Sequence, residues 1–374
     1  MPGDRPAIAY YITPHGYGHA VRSLEILRRL SDLRPDVEPT IISDLPDSLL
    51  EQGLGRLPKL RRLRLEFGLY QNDSIQFDLE KSLELLSGLN AESEAIIERE
   101  VSFLKRERIQ VVVSDIGWLP FEAAARCGLV SIGISNFTWD WIYGAYVDKD
   151  PRWAPVISGC RSGYRKCSLF LRLPMHGDCS ACPNIEDVPL VARKAGKSRS
   201  QVRSILGLRD DDRVVLVSFV TLQLSQAAIR NLKAIQDTVF LYKGPMEFDI
   251  PGAVKLDEAP ISFPDAVGAA DAVLTKPGYG IVSECLAQST PIIYTERGDM
   301  VEYDVLVDTI EQELTSVFID SRNFNAGNWE PSIRKALSLP RRAPARRVDG
   351  ADVCAQRILA LSQTGTSGRK RPNG

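Results

Sequence analysis

Histidine is nearly absent from this chain, with three in 374 residues. Any imidazole chemistry therefore has few candidates, and two of the three fall in one short loop, His15-Gly-Tyr-Gly-His19. No apolar run approaches the ~18 residues needed to cross a bilayer. The start, Met1-Pro-Gly-Asp-Arg-Pro, lacks a signal-peptide pattern, so a cytoplasmic location is expected. Neither charge is in excess: 46 Lys and Arg against 48 Asp and Glu leave a net charge of -2. The basic footprint of a nucleic-acid-binding protein is missing. The G-x-x-x-x-G-K-[ST] phosphate loop is also missing, and the Gly278-x-Gly280 pair is not completed by a third glycine at dinucleotide spacing.

Seven cysteines are an odd number and do not form a disulfide framework. Cys127, Cys285 and Cys354 sit in helical patterns and read as small buried hydrophobes. Cys160, Cys167, Cys179 and Cys182 cluster near His176. The six residues between the first two make a poor zinc knuckle, and reduced thiols in a loop are expected instead of a metal site.

What is present is a globular composition, 44% hydrophobic and 25% charged, on a chain long enough for two cores. Short apolar runs alternate with helical patterns. Strands are expected at 7–12, 40–42, 110–114 and 129–134, with helices at 20–33, 79–108 and 119–127. A second set follows a basic stretch at 193–203, with strands at 213–219, 239–242, 272–275 and 291–294 and helices at 225–236, 279–288 and 302–313. Strands apolar throughout, with helices between them, imply parallel sheets covered on both faces. The expected fold is α/β, two Rossmann-like doubly wound domains at 1–190 and 191–363, followed by a polar, basic, disordered tail at 364–374. Ligands in such folds sit beyond the carboxyl ends of the strands.

Four loops lie at those ends. Lys276-Pro-Gly-Tyr-Gly-Ile-Val-Ser-Glu284 joins a strand to a helix through Gly278 and Gly280. This arrangement aims backbone N–H groups and the positive helix end at one point, as a phosphate requires. Glu284, one turn on, is an acceptor-only group suited to ribose hydroxyls; the alternatives are a tight turn and a capping acid. In the first loop Gly16 and Gly18 permit close backbone approach. His19, nearest the helix start, is the candidate general base, and His15 a candidate for positioning substrate. Asp115 ends a strand. It either orients a histidine, binds a sugar hydroxyl, or caps the next helix. Trp139 and Trp141 in Asn136-Phe-Thr-Trp-Asp-Trp141 either stack on a flat acceptor or pack the loop. Arg297, Asp299 and Glu302 after the last strand are candidates for sugar hydroxyls or phosphate.

The combination His15-Gly-Tyr-Gly-His19, Ser135-Asn-Phe-Thr-Trp-Asp-Trp-Ile-Tyr143, Leu171-Arg-Leu-Pro174, Asp187-Val-Pro-Leu190 and Gly278-Tyr-Gly-Ile-Val-Ser-Glu284 resembles the glycosyltransferase-like N-terminal region of plant L-arabinokinases. The resemblance runs in order over most of residues 7–360. It implies the GT-B architecture, two Rossmann-like domains facing across a cleft. More distantly it is similar to nucleotide-sugar-dependent GT-B transferases. That likeness implies His19 as base, Gly278 and Gly280 on the donor diphosphate, Ser283 nearby and Glu284 on the ribose. Two features depart from the pattern. No Gly/Ser-rich sugar-kinase loop follows residue 300, so arabinokinase activity is not implied. Phe219-Val-Thr-Leu222 also replaces the Phe-Gly-Gly turn common after the first strand of the second domain.

The sequence thus points to a metal-independent glycosyltransferase without a cofactor. It would use a nucleotide-diphosphate sugar as co-substrate and a small-molecule or glycan hydroxyl as acceptor. Lys276, Gly278, Gly280, Ser283, Glu284, Arg297 and Glu302 form the donor side. The rival readings are a nucleotide-sugar 2-epimerase or hydrolase on the same fold, and a non-catalytic nucleotide-sugar-binding regulator.

Overall fold

The computed structural model describes residues 5–71, 77–298, 300–343 and 346–367. The chain divides into two compact units. The first comprises residues up to 70, 78–191 and 348 onward; the second comprises 71–77 and 192–347.

Seven strands make the sheet of the first unit: β1 (Ile8–Ile12), β2 (Thr40–Ile42), β3 (Leu60–Arg61), β4 (Val111–Asp115), β5 (Val130–Ser135), β6 (Leu169–Arg172) and β7 (Ile185–Asp187). They pair in parallel in the order β3-β2-β1-β4-β5-β6-β7. β1 and β4 are buried along their whole length because helices cover both faces, which explains their unbroken apolar runs. Helix α1 (Tyr17–Leu33) follows β1 and sinks Ala20, Leu24, Leu27 and Leu30 into the core. Strand order reverses between β1 and β4, so their carboxyl ends flank the topological switch point.

The second unit repeats the plan with β8 (Val214–Ser218), β9 (Val239–Tyr242), β10 (Val254–Lys255), β11 (Ala272–Thr275), β12 (Ile292–Tyr294) and β13 (Ser316–Phe318). All pairs are parallel, in the order β10-β9-β8-β11-β12-β13. Its switch point lies between β8 and β11. Helix α2 (Tyr279–Gln288) follows β11. Trp329, fully buried between the rings of Phe324 and Phe248 and donating from Nε1 to the Phe324 carbonyl at 2.8 Å, anchors the core beneath.

Three expectations need correction. The second domain does not extend to 363: the chain returns to the first unit at 348, where residues 350–367 form helix α3 (Gly350–Ser367). Cys354, Ala355 and Ile358 of α3 join the first core, and Arg29 Nε of α1 donates to Asp352 at 2.6 Å. Gly350 allows the approach, because a Cβ there would stand 2.1 Å from the Pro189 carbonyl oxygen. Consequently residues 364–367 are helical, not a disordered tail, and the rest of that expectation lies outside the described residues. Cys285 and Cys354 are buried as expected, whereas Cys127 is only half-buried.

Candidate functional site

The first loop leaves β1 at its carboxyl end and turns at Gly16, whose φ of 82° favours glycine over any residue with a Cβ. Gly18 and His19 fall in the first turn of α1, which has neither a side-chain cap nor an acidic residue there. The helix places His19 and Arg22 on one face, three residues apart. β1 pairs with β4 so that Ile12 faces Asp115, bringing the carboxylate to the loop. Immediately after Asp115 the chain turns away through Ile116 at φ 68°, a strained conformation for a β-branched residue.

Asp115, buried to 1% exposure, is the hub. Its Oδ1 lies 3.2 Å from His19 Nδ1 and accepts from Arg22 Nε at 3.2 Å and also from Arg22 Nη2. Nη2 stands 2.7 Å from His19 Nδ1 and donates to Ser135 Oγ at 3.0 Å, while Nη1 donates to Asn136 Oδ1. Burial alone would raise the Asp115 carboxyl, but Arg22 and His19 together hold it below its ordinary range. Burial, and then the Arg22 charge, push His19 below its ordinary value near 6.5 despite Asp115. The imidazole is therefore neutral at pH 7 and able to take a proton. The His19 ring packs edge-on against Phe137 at 5.9 Å.

A second carboxyl lies in the same neighbourhood. Glu66 is 4% exposed and accepts from Trp139 Nε1 at 3.0 Å. Burial pushes it up to about 8, outweighing hydrogen bonds from Thr13 and Trp139. Glu66, Asp115, Thr13 and Ser114 line one pocket of about 20 Å³, room for a single water. Trp139 itself is buried and stacks on Tyr143 at 5.4 Å, so it packs the loop and presents no face to an acceptor. His15 sits edge-on to Trp139 at 5.5 Å and lies over Gly68. A Cβ on Gly68 would stand 2.3 Å from the His15 ring. Gly68→Ala is therefore expected to displace His15 and cost about 1–3 kcal/mol by overpacking. The His15 NMR signal and the urea midpoint, read together, check this.

In the second unit, Gly278 is the N-cap of α2, and Gly280 lies in its first turn. That turn again has no side-chain cap and no acidic residue. The Gly278 backbone is extended, and a Cβ there would meet Arg297 Nη1 at 3.4 Å, an ordinary van der Waals contact. Arg297 Nη1 donates to the Pro277 carbonyl at 2.7 Å, tying the strand that ends at Tyr294 to this loop. Burial lowers Arg297 against the pull of Glu302, and burial raises Glu302 against the pull of Arg297. Lys276 is half-buried and Ser283 buried. Glu284, 4% exposed, already holds Arg193, which donates to Oε1 from Nε at 2.7 Å and Nη2 at 2.5 Å. Its Oε2 accepts no hydrogen bond from the described residues. Burial raises Glu284 even so. The ring of Phe219, in the departing Phe219-Val-Thr-Leu222 turn, packs on Phe324 at 5.3 Å.

The structure brings His19 and Asp115 together in the first unit, and Gly278, Gly280 and Arg297 together in the second. Asp299 lies outside the described residues. Arg22, Glu66 and Arg193 escaped the sequence reading. Arg22 alone carried a signal, its helical spacing from His19. Among the described residues no three His, Cys, Asp or Glu side chains group as metal ligands, and no helix is long and apolar enough to cross a membrane.

No protein-family model matches the chain. Over 340 residues it is 33% identical to L-arabinokinase of Arabidopsis thaliana, covering 88% of this chain and 32% of the relative. The chain thus spans about a third of the length of the curated relative it matches. Among solved structures, a UDP-glucosyltransferase from Polygonum tinctorium aligns at a TM-score of 0.60 and 12% identity, over 98% of this chain and 95% of that one. A putative UDP-N-acetylglucosamine 2-epimerase from Listeria monocytogenes aligns at 0.57 and 12% identity, over 99% of both. In fold, then, the protein is a GT-B chain of two Rossmann-like units, and in sequence it is similar to one region of L-arabinokinase.

Proposed function

We propose that this protein is a GT-B-type glycosyltransferase that moves a sugar from a nucleotide-diphosphate sugar to an acceptor hydroxyl. The observation that carries this reading is the His19–Asp115 pair at the switch point of the first sheet. Arg22 Nη2 has two hydrogens, and Asp115 and Ser135 take them. Nδ1 of His19 then donates to Asp115, and Nε2 keeps its lone pair. In this mechanism Nε2 removes the acceptor proton as the hydroxyl oxygen attacks the anomeric carbon. The bond to the diphosphate breaks, and the leaving anion is stabilised by the α2 N-terminus at Gly278 and Gly280 with Lys276, Ser283 and Arg297 around it, while Glu302 accepts from a hydroxyl of the donor. Glu284, oriented by Arg193, takes a ribose hydroxyl on Oε2. The likeness to solved sugar-transferring enzymes supports the reading. The protein is proposed to work without metal or cofactor, in the cytoplasm, on a small-molecule or glycan acceptor.

Calorimetric titration with UDP, GDP, dTDP and ADP tests the donor side. Micromolar binding of one diphosphate is expected, and Glu284→Ala is expected to abolish it. No binding of any would sink the transferase reading. The match to a putative 2-epimerase supports a second reading on the same fold, a chemistry that wants further acids, for which Asp115, Asp299 and Glu302 are the candidates. Product formed from the nucleotide sugar in the absence of any acceptor would favour it.

A further inference from the structure

Asp115 leaves one feature that the proposed chemistry does not use. Its Oδ1 serves His19 and Arg22, but its Oδ2 is buried and has no hydrogen-bond partner among the described residues. A buried carboxylate oxygen without a donor forfeits the hydration it had in water, so native sites rarely leave one so. Asp115 also lines the 20 Å³ pocket, and the other carboxyl on that pocket is Glu66. One water there would have polar partners in Asp115, Glu66, Thr13 and Ser114, within the two to four that a buried water needs.

We propose that Glu66 is a positioning residue of this site: one water in the shared pocket links its carboxyl to Asp115 Oδ2 and so fixes the carboxylate that orients His19. Two carboxylates sharing one water cannot both be charged without strong repulsion. Arg22 lies against Asp115 and stabilises the negative charge there. Among the described residues Glu66 has no such partner: its carboxyl accepts from the indole N–H of Trp139 and from the Thr13 hydroxyl, and Arg64 is a weaker influence. The proton therefore stays on Glu66, whose O–H can donate to the water while the water donates to Oδ2. The other ionisable groups that feel Glu66 are Tyr143, Cys160 and Tyr164, all buried and neutral, so none supplies a competing cation. The packing is tight as well. A Cβ on Gly117 would stand 3.2 Å from Glu66 Oε2 and from Ser114 Oγ, so this glycine keeps the carboxyl close to the end of β4.

This deepens the glycosyltransferase reading and rests on it for the role of His19, so its test separates the two. Infrared spectra of the full chain and of Glu66→Gln at pH 7 are compared first. A protonated-carboxyl band in the wild type, lost in Glu66→Gln and titrating away near pH 8, is the expected result. Spectra that agree in the protonated-carboxyl region overturn the proposal, since Glu66 would then be ionised. The titration of His19 is followed by NMR next, which three histidines make tractable. Glu66→Leu removes the donor to the water, concentrates charge on Asp115 and raises the pKa of His19. Glu66→Gln, which keeps a neutral donor, restores the wild-type value. An unmoved His19 in Glu66→Leu overturns the positioning role. If Glu66→Leu fails to fold, a His19 pKa in Glu66→Gln that departs from the wild-type value overturns it equally. In turnover, Glu66→Leu is expected to lose roughly 10- to 100-fold in kcat with nucleotide KM unchanged, and Glu66→Gln to recover most of it. The band and the His19 response without sugar transfer to any acceptor would uphold Glu66 and overturn the transferase reading instead.

Discussion

His19→Ala is expected to lower kcat by roughly 10²–10⁴-fold while nucleotide affinity stays nearly intact. The split follows from where the residue sits. His19 lies in the first unit, beyond the carboxyl end of β1, whereas the loop proposed to hold the nucleotide belongs to the second. Loss of the imidazole removes the group that takes the acceptor proton and leaves the α2 N-terminus untouched. The wild-type pH profile should carry the same signature. Because burial and Arg22 depress the His19 pKa, the base stays neutral and active as pH falls past 6.5. Its acid limb therefore lies below the range of a free imidazole. Unchanged turnover in His19→Ala, or an acid limb at or above 6.5, would remove His19 from the mechanism.

Arg22→Met is expected to destabilise the protein by about 3–5 kcal/mol, the usual cost of leaving a buried charge without its partner. Arg22 is 8% exposed, and its guanidinium serves Asp115, Ser135 and Asn136 at once. Without it, Asp115 keeps its burial and loses its main favourable charge, so its pKa rises instead of falling. The pH dependence should invert accordingly. In the wild type, the depressed Asp115 contributes stability above its unfolded pKa and loses it as pH falls through the lower folded value. In Arg22→Met the unfolded chain ionises Asp115 first, and the folded state is penalised at neutral pH. His19 moves in the opposite sense to its present shift, upward, because the Arg22 charge no longer opposes its protonation. Urea unfolding at pH 5 and pH 8, with His19 NMR titration beside it, reads both effects. A stability loss under ~1 kcal/mol with an unmoved His19 would mean that Arg22 is not the partner of this site.

Much of the fold could be read from local pattern. β2, β9, β11 and α2 begin and end where periodicity places them, and the other expected elements differ by one to three residues, at ends where capping and pairing decide the boundary; β3, β6, β7, β10, β13 and α3 had no expected range. The two loops were legible for a chemical reason, since histidine and glycine at a strand's carboxyl end have few structural uses. Arg22 was half-legible, because its spacing from His19 is helical. Glu66 was not, because residues 63–66 carry no periodic signal and its character comes from what folds over it.

By itself, the sequence determined the alternation of apolar strands and amphipathic helices, and with it two parallel α/β sheets. It also determined which loops carry glycine and histidine, because backbone freedom and side-chain chemistry are properties of the residue. Tertiary structure decided which charges meet. The parallel pairing of β1 with β4 brings Asp115 to the loop of His19, although 96 residues separate them. Burial then sets their protonation, lowering His19 and raising Glu66 to about 8. The return of α3 to the first unit was decided there too, since Cys354, Ala355 and Ile358 find their apolar surface only after the first sheet has formed. Charge and burial act through distance in space, and distance along the chain does not encode it.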